Sequence, residues 1–308
     1  KAEVEKYIWE RQSSFENVAE EHRACREDVT LMDMSFMSKF SVQGRDALAQ
    51  LNRISCNELD VPPGRIVYTQ WTNKAGGIEA DLTVTRKAED EFMVVCADTV
   101  HRHIETWMRN HFDPEARVMI ADMTSAYAML TLQGPKSRAL LSSLSPDSFS
   151  NEDFPYMSAQ EIEIGYARVY AVRVTYLGEL GWELYIPTEH AADVYDRLLE
   201  AGPEFGLRHA GLQALSSLRL EKAYRDFGHD LAAGLVVGVI TIPQAIAYAF
   251  LAGLPPQAGL YACLAPMVIY AVLGSSRQLV VGPVAIAALM VAAAIGQYAP
   301  LHSEAYLG

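Results

Sequence analysis

The sequence predicts an α+β domain over residues 1–229, followed by about three transmembrane α-helices over residues 230–308. The formal net charge is −13, yet from Leu231 onwards the only formal charges are Arg277 and Glu304. Before Leu231, helix-like and strand-like patterns alternate and are joined by short glycine-containing turns, which is typical of an antiparallel α+β domain. After Leu231, long uncharged apolar runs follow, which is typical of membrane spans.

The elements of the first part are predicted from local patterns in chain order. A helix begins at Ser14, a residue that can cap it, and extends over 14–26. Amphipathic spacing predicts two more helices over 99–110 and 191–201. Runs rich in β-branched and aromatic residues predict strands over 39–42, 66–71, 81–85, 92–96, 127–133, 167–175 and 182–186.

Charge and cysteine content narrow the possible functions. The acidic first part argues against nucleic acid as a partner, because such binding depends on Lys and Arg neutralising phosphates. The dispersed cysteines predict a reducing compartment without a disulfide framework or a zinc site. His101 and His103 are two residues apart on a predicted helix and face different ways, so no metal site is predicted. Since the chain opens at Lys1 without a signal peptide, we expect a fragment of a longer protein.

A glycine pair marks the first segment that could carry chemistry, over residues 68–84. Gly76 and Gly77 permit a tight turn that delivers Asp81 to the start of the next strand. A carboxylate beside apolar strand residues can have its proton affinity tuned for acid–base catalysis. The alternative is an aspartate that caps a hairpin at the surface, and the spacing alone favours this alternative.

Two further segments carry candidate polar residues. Over 173–184, glycines form a predicted hairpin turn, and Glu183 alternates with apolar neighbours, so it can face inward. A carboxylate there suits the paired amide and amine donors of a pterin or purine; a solvated strand residue is an equally weighted alternative. Over 210–222 the pattern is that of a packing helix, on which Arg219 and Glu221 can be surface charges.

Five short segments stand in an order that resembles a known family. They are the runs at 14–23, 42–47, 76–84, 132–135 and 181–184. Together they resemble the aminomethyltransferase fold of the glycine cleavage T-protein. The likeness covers about residues 7–229 and is closer to the C-terminal parts of dimethylglycine and sarcosine dehydrogenases.

The resemblance implies an activity and a set of site residues. It implies that tetrahydrofolate captures a one-carbon unit from a small methylated amine or aminomethyl donor and becomes methylenetetrahydrofolate. Asp81 is then the catalytic residue, and Glu183 holds the pterin ring. The other implied folate-binding residues are Tyr68, Asn73, Tyr176 and Arg173.

The sequence departs from this family at three points. Its transferases usually carry an Arg-Asp pair about where Leu215 and Ser216 stand. No G-x-G-x-x-G dinucleotide fingerprint occurs, so no FAD domain is predicted. The C-terminal barrel of the family, expected after residues 227–230, is missing.

The second part of the chain contains three apolar runs, at 231–252, 258–274 and 279–299. The first is long enough to cross a hydrocarbon layer about 30 Å thick. Prolines interrupt the runs, as in transporters whose broken helices line a cavity. We therefore expect a multi-pass protein in a lipid bilayer, with the first part in the cytoplasm.

Residues 231–262 and 274–290 resemble the first spans of the sulfate permease (SulP) family. The resemblance implies a site for an inorganic anion such as sulfate, lined by Gln244, Tyr248 and Val284. An interhelical hydrogen bond is the alternative role for Gln244, and packing is the alternative for Tyr248.

Three interpretations of the whole chain remain open. The most economical is an artificial or mispredicted fusion of two gene fragments, because both parts start or stop inside a fold. A natural fusion would tether a folate enzyme to a membrane. The third interpretation is a soluble domain attached to a membrane anchor or to a partial anion transporter.

Overall fold

The computed structural model describes residues 13–226, 230, 244–247 and 249–250. The chain divides into two compact units, Lys1–Arg219 and Leu220–Gly308. The fold and the candidate folate site described below belong to the first unit.

The described part contains six helices and eleven strands. The helices are α1 (Phe15–Glu27), α2 (Ala47–Ile54), α3 (His101–His111), α4 (Ser137–Leu144), α5 (Ala191–Ala201) and α6 (Leu212–Glu221). The strands are β1 (Val29–Asp33), β2 (Ser38–Gln43), β3 (Ile66–Thr72), β4 (Ile78–Ala88), β5 (Glu91–Cys96), β6 (Met119–Asp122), β7 (Tyr127–Gln133), β8 (Ser158–Ile164), β9 (Ala167–Arg173), β10 (Gly181–Pro187) and β11 (Leu207–His209).

The strands form two sheets built from one repeated unit. The first sheet has the order β3-β4-β5-β2-β6, and the second has β8-β9-β10-β7-β1-β11. In each sheet a strand leads into a short helix, then a two-stranded hairpin, a returning strand and a second helix. The segment β2-α2-β3-β4-β5-α3 thus corresponds to β7-α4-β8-β9-β10-α5. The chain therefore contains two copies of the same arrangement.

A glycine ends the leading strand of each copy for the same steric reason. Gly44 has φ 136° and Gly134 has φ 135°. A Cβ at Gly44 would overlap the carbonyl oxygen of Arg117, and one at Gly134 would overlap that of Asp28. Only glycine accepts both this φ and this close approach of backbone. These positions explain the two Gln-Gly pairs of the sequence.

Three hydrophobic clusters join the layers. One lies between the first sheet and the helices α2 and α3, and includes Phe40, Leu51 and Ile104. A second lies between the second sheet and the helices α4 and α5, and includes Trp182 and Leu198. The third joins the two sheets through the inward face of each, with the buried members Ile66, Met93, Val95, Met129, Ala159, Val172 and Tyr185. The space between the sheets, called the inter-sheet space below, is thus covered on both sides.

Most predicted elements of the first part are present, with shifted boundaries. The predicted helix 99–110 is a 3₁₀ turn followed by α3, and the predicted strand 167–175 ends at Arg173. The helices α2 and α4 were missed because each has only about two turns. The strands β1, β6, β8 and β11 were not predicted; β6 and β11 are short, and partner strands, rather than local pattern, define them.

The predicted membrane spans lie almost wholly outside the described residues. Where the structure does describe the chain, we find no helix with both the length and the apolar character that a bilayer crossing needs. The three spans therefore stay a prediction.

Candidate functional site

The hairpin of β3 and β4 positions the first group of predicted residues. The amide of Asn73 donates to Gly77 O at 2.8 Å, and Asn73 Oδ1 accepts from the amides of Ala75 and Gly77 at 3.0 and 2.9 Å. Gly76 has φ 82°, which its lack of a Cβ permits. Asn73 Nδ2 also donates to Glu79 Oε1 at 2.6 Å. The Asn73 side chain therefore shapes the turn.

Asp81 lies on β4 directly opposite Gln70 of β3. Gln70 Nε2 donates to Asp81 Oδ1 at 3.0 Å. Tyr68, two residues before Gln70 on the same face of β3, is close enough to the Asp81 carboxylate and to the Gln70 side chain to interact with both. Because Asp81 is only partly buried, its carboxylate is still accessible while the Gln70 side chain holds it by a hydrogen bond.

Tyr68 lies at the open edge of this group and is 51% exposed. Partial burial and the neighbouring Asp81 carboxylate, in that order, raise the pKa of Tyr68 well above its ordinary value. Tyr176, from the loop between β9 and β10, is close enough to add to this shift. The structure therefore brings together three predicted residues, Tyr68, Asp81 and Tyr176.

Glu183 lies on β10 and is partly buried. The hydroxyl of Tyr185 donates to Glu183 Oε2 at 2.8 Å. Burial raises the pKa of Glu183 to about 7, while the Tyr185 hydrogen bond and the charge of Lys39 act in the opposite direction.

Strand alternation shows that Tyr68, Asp81 and Glu183 face the inter-sheet space. Tyr68 is on the same face of β3 as Ile66, a member of the cluster between the sheets. Asp81 is on the same face of β4 as Thr83, which pairs with Val95 of that cluster. Glu183 pairs with Val172, which also belongs to it.

Arg173 lies elsewhere. It follows Val172 on β9 and so faces the opposite side of the second sheet. Its guanidinium donates to Asn151 Oδ1 at 2.8 Å and to Phe154 O, and lies 5.5 Å from the centroid of the Trp182 ring. Arg173 is therefore apart from the group formed by Tyr68, Asp81 and Glu183.

Lys39, Gln70 and Tyr185 are polar residues of the site that the sequence prediction missed. Lys39 is fully buried on β2 and interacts electrostatically with Glu183. The alternation with Phe40 and Val42 places Lys39 on the opposite face of β2. It does not reveal that a second sheet covers this face. Gln70 lies on the same face of β3 as Tyr68, and Tyr185 lies on the same face of β10 as Glu183. The sequence carried no other signal for either residue.

A shallow cavity of about 240 Å³ lies away from the predicted site residues, beside the segment between β6 and β7. It is lined by Ser35, Thr124, Ser125, Tyr127, Ala128 and Thr188. Two of its hydroxyls already have partners: Ser35 Oγ accepts from the Met129 amide, and Thr188 Oγ1 donates to Ser125 O. The cavity supplies no additional charged group.

Comparison with protein families decides the identity of this fold. The family model of the GCVT N-terminal domain matches residues 2–236. The chain belongs to the GCVT N-terminal domain family. This confirms the aminomethyltransferase-like α+β fold and a folate-dependent aminomethyltransferase-like domain.

Relatives and a solved structure agree with this membership. The chain is 40% identical over 225 residues to 4-methylaminobutanoate oxidase (formaldehyde-forming) of Paenarthrobacter nicotinovorans, a match that covers 73% of this chain and 27% of the relative. It is 33% identical over 233 residues to human mitochondrial sarcosine dehydrogenase, covering 70% and 25%. The aminomethyltransferase T of the Bartonella henselae glycine cleavage system aligns with a TM-score of 0.59 and 27% identity, covering 66% and 54%.

The GCVT chain therefore spans about a quarter of the length of these two relatives. A second family model, that of the sulfate permease family, matches residues 227–307 and overlaps the GCVT match at residues 227–236. Of the anion-binding residues predicted there, Gln244 lies in a helical stretch and is exposed. Tyr248 and Val284 lie outside the described residues.

The inter-sheet space has groups that suit the folate used by aminomethyltransferases of this family. Glu183 Oε2 accepts one hydrogen bond, from the Tyr185 hydroxyl. Among the described residues, none donates to the second oxygen, Glu183 Oε1. A carboxylate with one open oxygen can accept from the paired N–H donors of a pterin. The residues of this GCVT chain thus fit the cofactor.

Proposed function

We propose that the GCVT domain binds tetrahydrofolate in the inter-sheet space and promotes transfer of an aminomethyl or iminium carbon to it. The donor is a small methylated amine or an aminomethyl group. The observation that carries the proposal is that Tyr68, Asp81 and Glu183 face one space although they lie on two different sheets.

Glu183 is proposed to hold the pterin ring. Its carboxylate is hydrogen-bonded on one oxygen by Tyr185 and is partly withdrawn from water. A charged hydrogen bond in such surroundings is stronger than one between neutral groups. Because the Tyr185 bond fixes the orientation of the carboxylate, Glu183 would orient the ring as well as bind it.

Asp81 is proposed as the catalytic residue. Bound tetrahydrofolate would supply the amine nitrogens that accept the one-carbon unit. Gln70 holds the Asp81 carboxylate at the edge of the inter-sheet space by a hydrogen bond, and Tyr68 lies beside this carboxylate. Asp81 would accept a proton from the nitrogen that forms the new bond, and Tyr68 and Tyr176 would shield that step from water.

The departure at Leu215 and Ser216 affects affinity. Leu215 lies on α6 and packs against the cluster that contains Cys25 and Leu218. An apolar residue at this place cannot supply the charged contact of an Arg-Asp pair. We therefore expect tetrahydrofolate affinity to depend more strongly on Glu183.

Calorimetric titration of the full chain in mild detergent with tetrahydrofolate tests the proposal. Glu183→Gln is expected to weaken binding about 10-fold or more, which corresponds to a lost charged hydrogen bond of about 1.5–3 kcal/mol. Asp81→Asn is expected to bind within about threefold of wild type but to lose one-carbon transfer. Exposed residues provide the matched controls Glu163→Gln and Asp196→Asn. A wild-type chain that is folded yet does not bind contradicts the proposal.

For residues 227–307 we propose a membrane-embedded segment of the sulfate permease type that contacts an inorganic anion such as sulfate. The family match and the nearly uncharged composition support it. The expressed chain should stay with the membrane fraction after alkaline carbonate extraction. Release into the supernatant would contradict membrane embedding. One uninterrupted transcript across residues 227–236 would favour a natural fusion over an artificial one.

A further inference from the structure

Lys39 is a buried cation with a defined anchorage. Its side chain is fully buried on β2. The ammonium donates to Ser35 O at 2.9 Å and to Met37 O at 2.8 Å, and a third carbonyl oxygen, that of Thr124, lies at 3.5 Å. Lysine is almost never fully buried without such partners. The carbonyl oxygens therefore fix the position of this charge.

The register of the strands makes Lys39 and Glu183 face the same inter-sheet space from opposite sheets. Lys39 pairs with Val95 on β5, so it faces the inter-sheet space from the first sheet. Glu183 pairs with Val172 on β9 and faces the same space from the second sheet. Each of the two side chains influences the proton equilibrium of the other.

Comparison of the two copies of the repeat shows that the Lys39–Glu183 pair occurs only between β2 of one copy and β10 of the other. Counting back from the two Gln-Gly pairs, Met129 of β7 corresponds to Lys39 of β2. Counting forward along the returning strands, Met93 of β5 corresponds to Glu183 of β10. A methionine thus occupies the equivalent position in the other copy in both cases, which shows that the backbone accepts an apolar side chain of similar length there.

We propose that Lys39 is a positioning residue that shifts Glu183 toward the carboxylate form required to bind the pterin ring. The inference rests on the proposed function of Glu183. Only the carboxylate can accept from both N–H donors of a pterin, since a carboxylic acid presents a donor of its own. A fixed positive charge across the inter-sheet space favours the carboxylate without contacting the ligand.

The charged groups around the pair act in known directions. Burial lowers the pKa of Lys39 to about 8, and the nearby Asp122, Asp33 and Glu183 oppose this. The His101 Nε2 atom lies 3.1 Å from an Asp122 carboxylate oxygen. At Glu183, burial raises the pKa, and Tyr185 and Lys39 lower it. On the side of the second sheet, Tyr170 lies near Tyr185 and helps to raise the pKa of Tyr185.

The test is a carbon NMR titration of the folate-free full chain in detergent, with glutamate carboxyl groups labelled. Glu183→Gln assigns the signal. In Lys39→Met, which copies the residue of the other repeat, the midpoint of Glu183 is expected to rise by at least about one pH unit. Lys136→Met, at an exposed lysine remote from this space, is the control and should leave it unchanged. An unchanged midpoint in Lys39→Met overturns the inference.

A reciprocal titration keeps the inference testable if Lys39→Met does not fold. With lysine side chains labelled at Cε, the midpoint of Lys39 should fall in Glu183→Gln, because the carboxylate that stabilises the ammonium is lost. An unchanged Lys39 midpoint overturns the inference.

Calorimetry links the pair to the ligand. At pH 7.5, Lys39→Met should bind tetrahydrofolate at least about threefold more weakly than wild type, and the loss should shrink as the pH rises. Equal affinities would overturn the positioning role. A wild-type chain that binds no tetrahydrofolate would contradict the proposed function. In that case the two titrations alone decide whether Lys39 controls the charge of Glu183.

Discussion

Arg173 and Glu183 lie on opposite faces of the second sheet, although both were predicted to bind the cofactor. Glu183 faces the inter-sheet space, whereas Arg173 lies against Trp182 on the side of the helices. The difference follows from strand alternation, because Glu183 pairs with Val172 and Arg173 is the next residue along β9. The two residues should therefore respond differently to mutation.

Arg173→Ala is expected to lower the free energy of unfolding by about 1–3 kcal/mol and to leave tetrahydrofolate affinity within about twofold. The substitution removes hydrogen bonds to Asn151 and Phe154 and the contact with the Trp182 ring. Urea unfolding followed by tryptophan fluorescence measures the first effect, since all four tryptophans precede residue 219. Arg168→Ala, at an exposed position of β9, is the control. A large loss of affinity with unchanged stability would instead place Arg173 at the ligand.

Stability should depend on pH through Glu183. Its pKa is about 7 in the folded chain against an ordinary value of 4.5, so the folded state binds more protons than the unfolded state between these pH values. The free energy of unfolding therefore falls as the pH rises through this window. Glu183→Gln should remove a decrease on the order of 2–3 kcal/mol between pH 4.5 and 8.

Urea unfolding at a series of pH values measures this decrease. Glu163→Gln, at an exposed position of β8, should give a curve parallel to wild type. Parallel curves for wild type and Glu183→Gln would show that Glu183 does not carry the effect.

The turn between β3 and β4 should depend on Asn73. Asn73→Ala removes the side-chain bonds to Glu79, Ala75 and Gly77 and should lower stability by about 1–2 kcal/mol. Hydrogen exchange should rise in this hairpin more than in β8 and β9. Asn57→Ala, whose exposed side chain makes no hydrogen bond to another described residue, is the control. Equal protection in Asn73→Ala and wild type would contradict the structural role.

The glycine that ends β7 should be irreplaceable. Gly134→Ala would place a methyl group on the Asp28 carbonyl oxygen at a φ that alanine disfavours, and should destabilise the chain by more than about 3 kcal/mol. At Gly211 a Cβ meets no atom within 4 Å, so Gly211→Ala should change stability by less than about 1 kcal/mol. Thermal unfolding compares the two variants. Similar midpoints would show that the backbone relaxes at Gly134.

Local sequence patterns predicted the α+β class, and they also indicated candidate site residues wherever the signal was local. Gly76 and Gly77 mark a turn whose geometry delivers Asp81 to β4, and the alternation around Glu183 indicates an inward side chain. The family resemblance then assigned roles that no spacing could supply. Those roles stay predictions to be tested by the variants above.

The features that the sequence did not predict depend on contacts between segments that are far apart in the chain. In the run from Ser38 to Val42, Phe40 and Val42 predict the buried face, so Lys39 belongs to the face expected in solvent. That face is buried because the second sheet covers it, and this sheet is formed mainly by residues about 90 or more positions later. The face occupied by Arg173 could not be predicted for a related reason, because its position next to the glycine turn does not specify the face of the sheet.

The duplicated architecture has a consequence for binding stoichiometry. Two copies of the same arrangement would be expected to offer two equivalent half-sites. Since Met93 and Met129 occupy the places that correspond to Glu183 and Lys39, the polar pair exists only once in the domain. The two copies therefore combine into a single asymmetric receptor, and a titration with tetrahydrofolate should saturate at one ligand per chain.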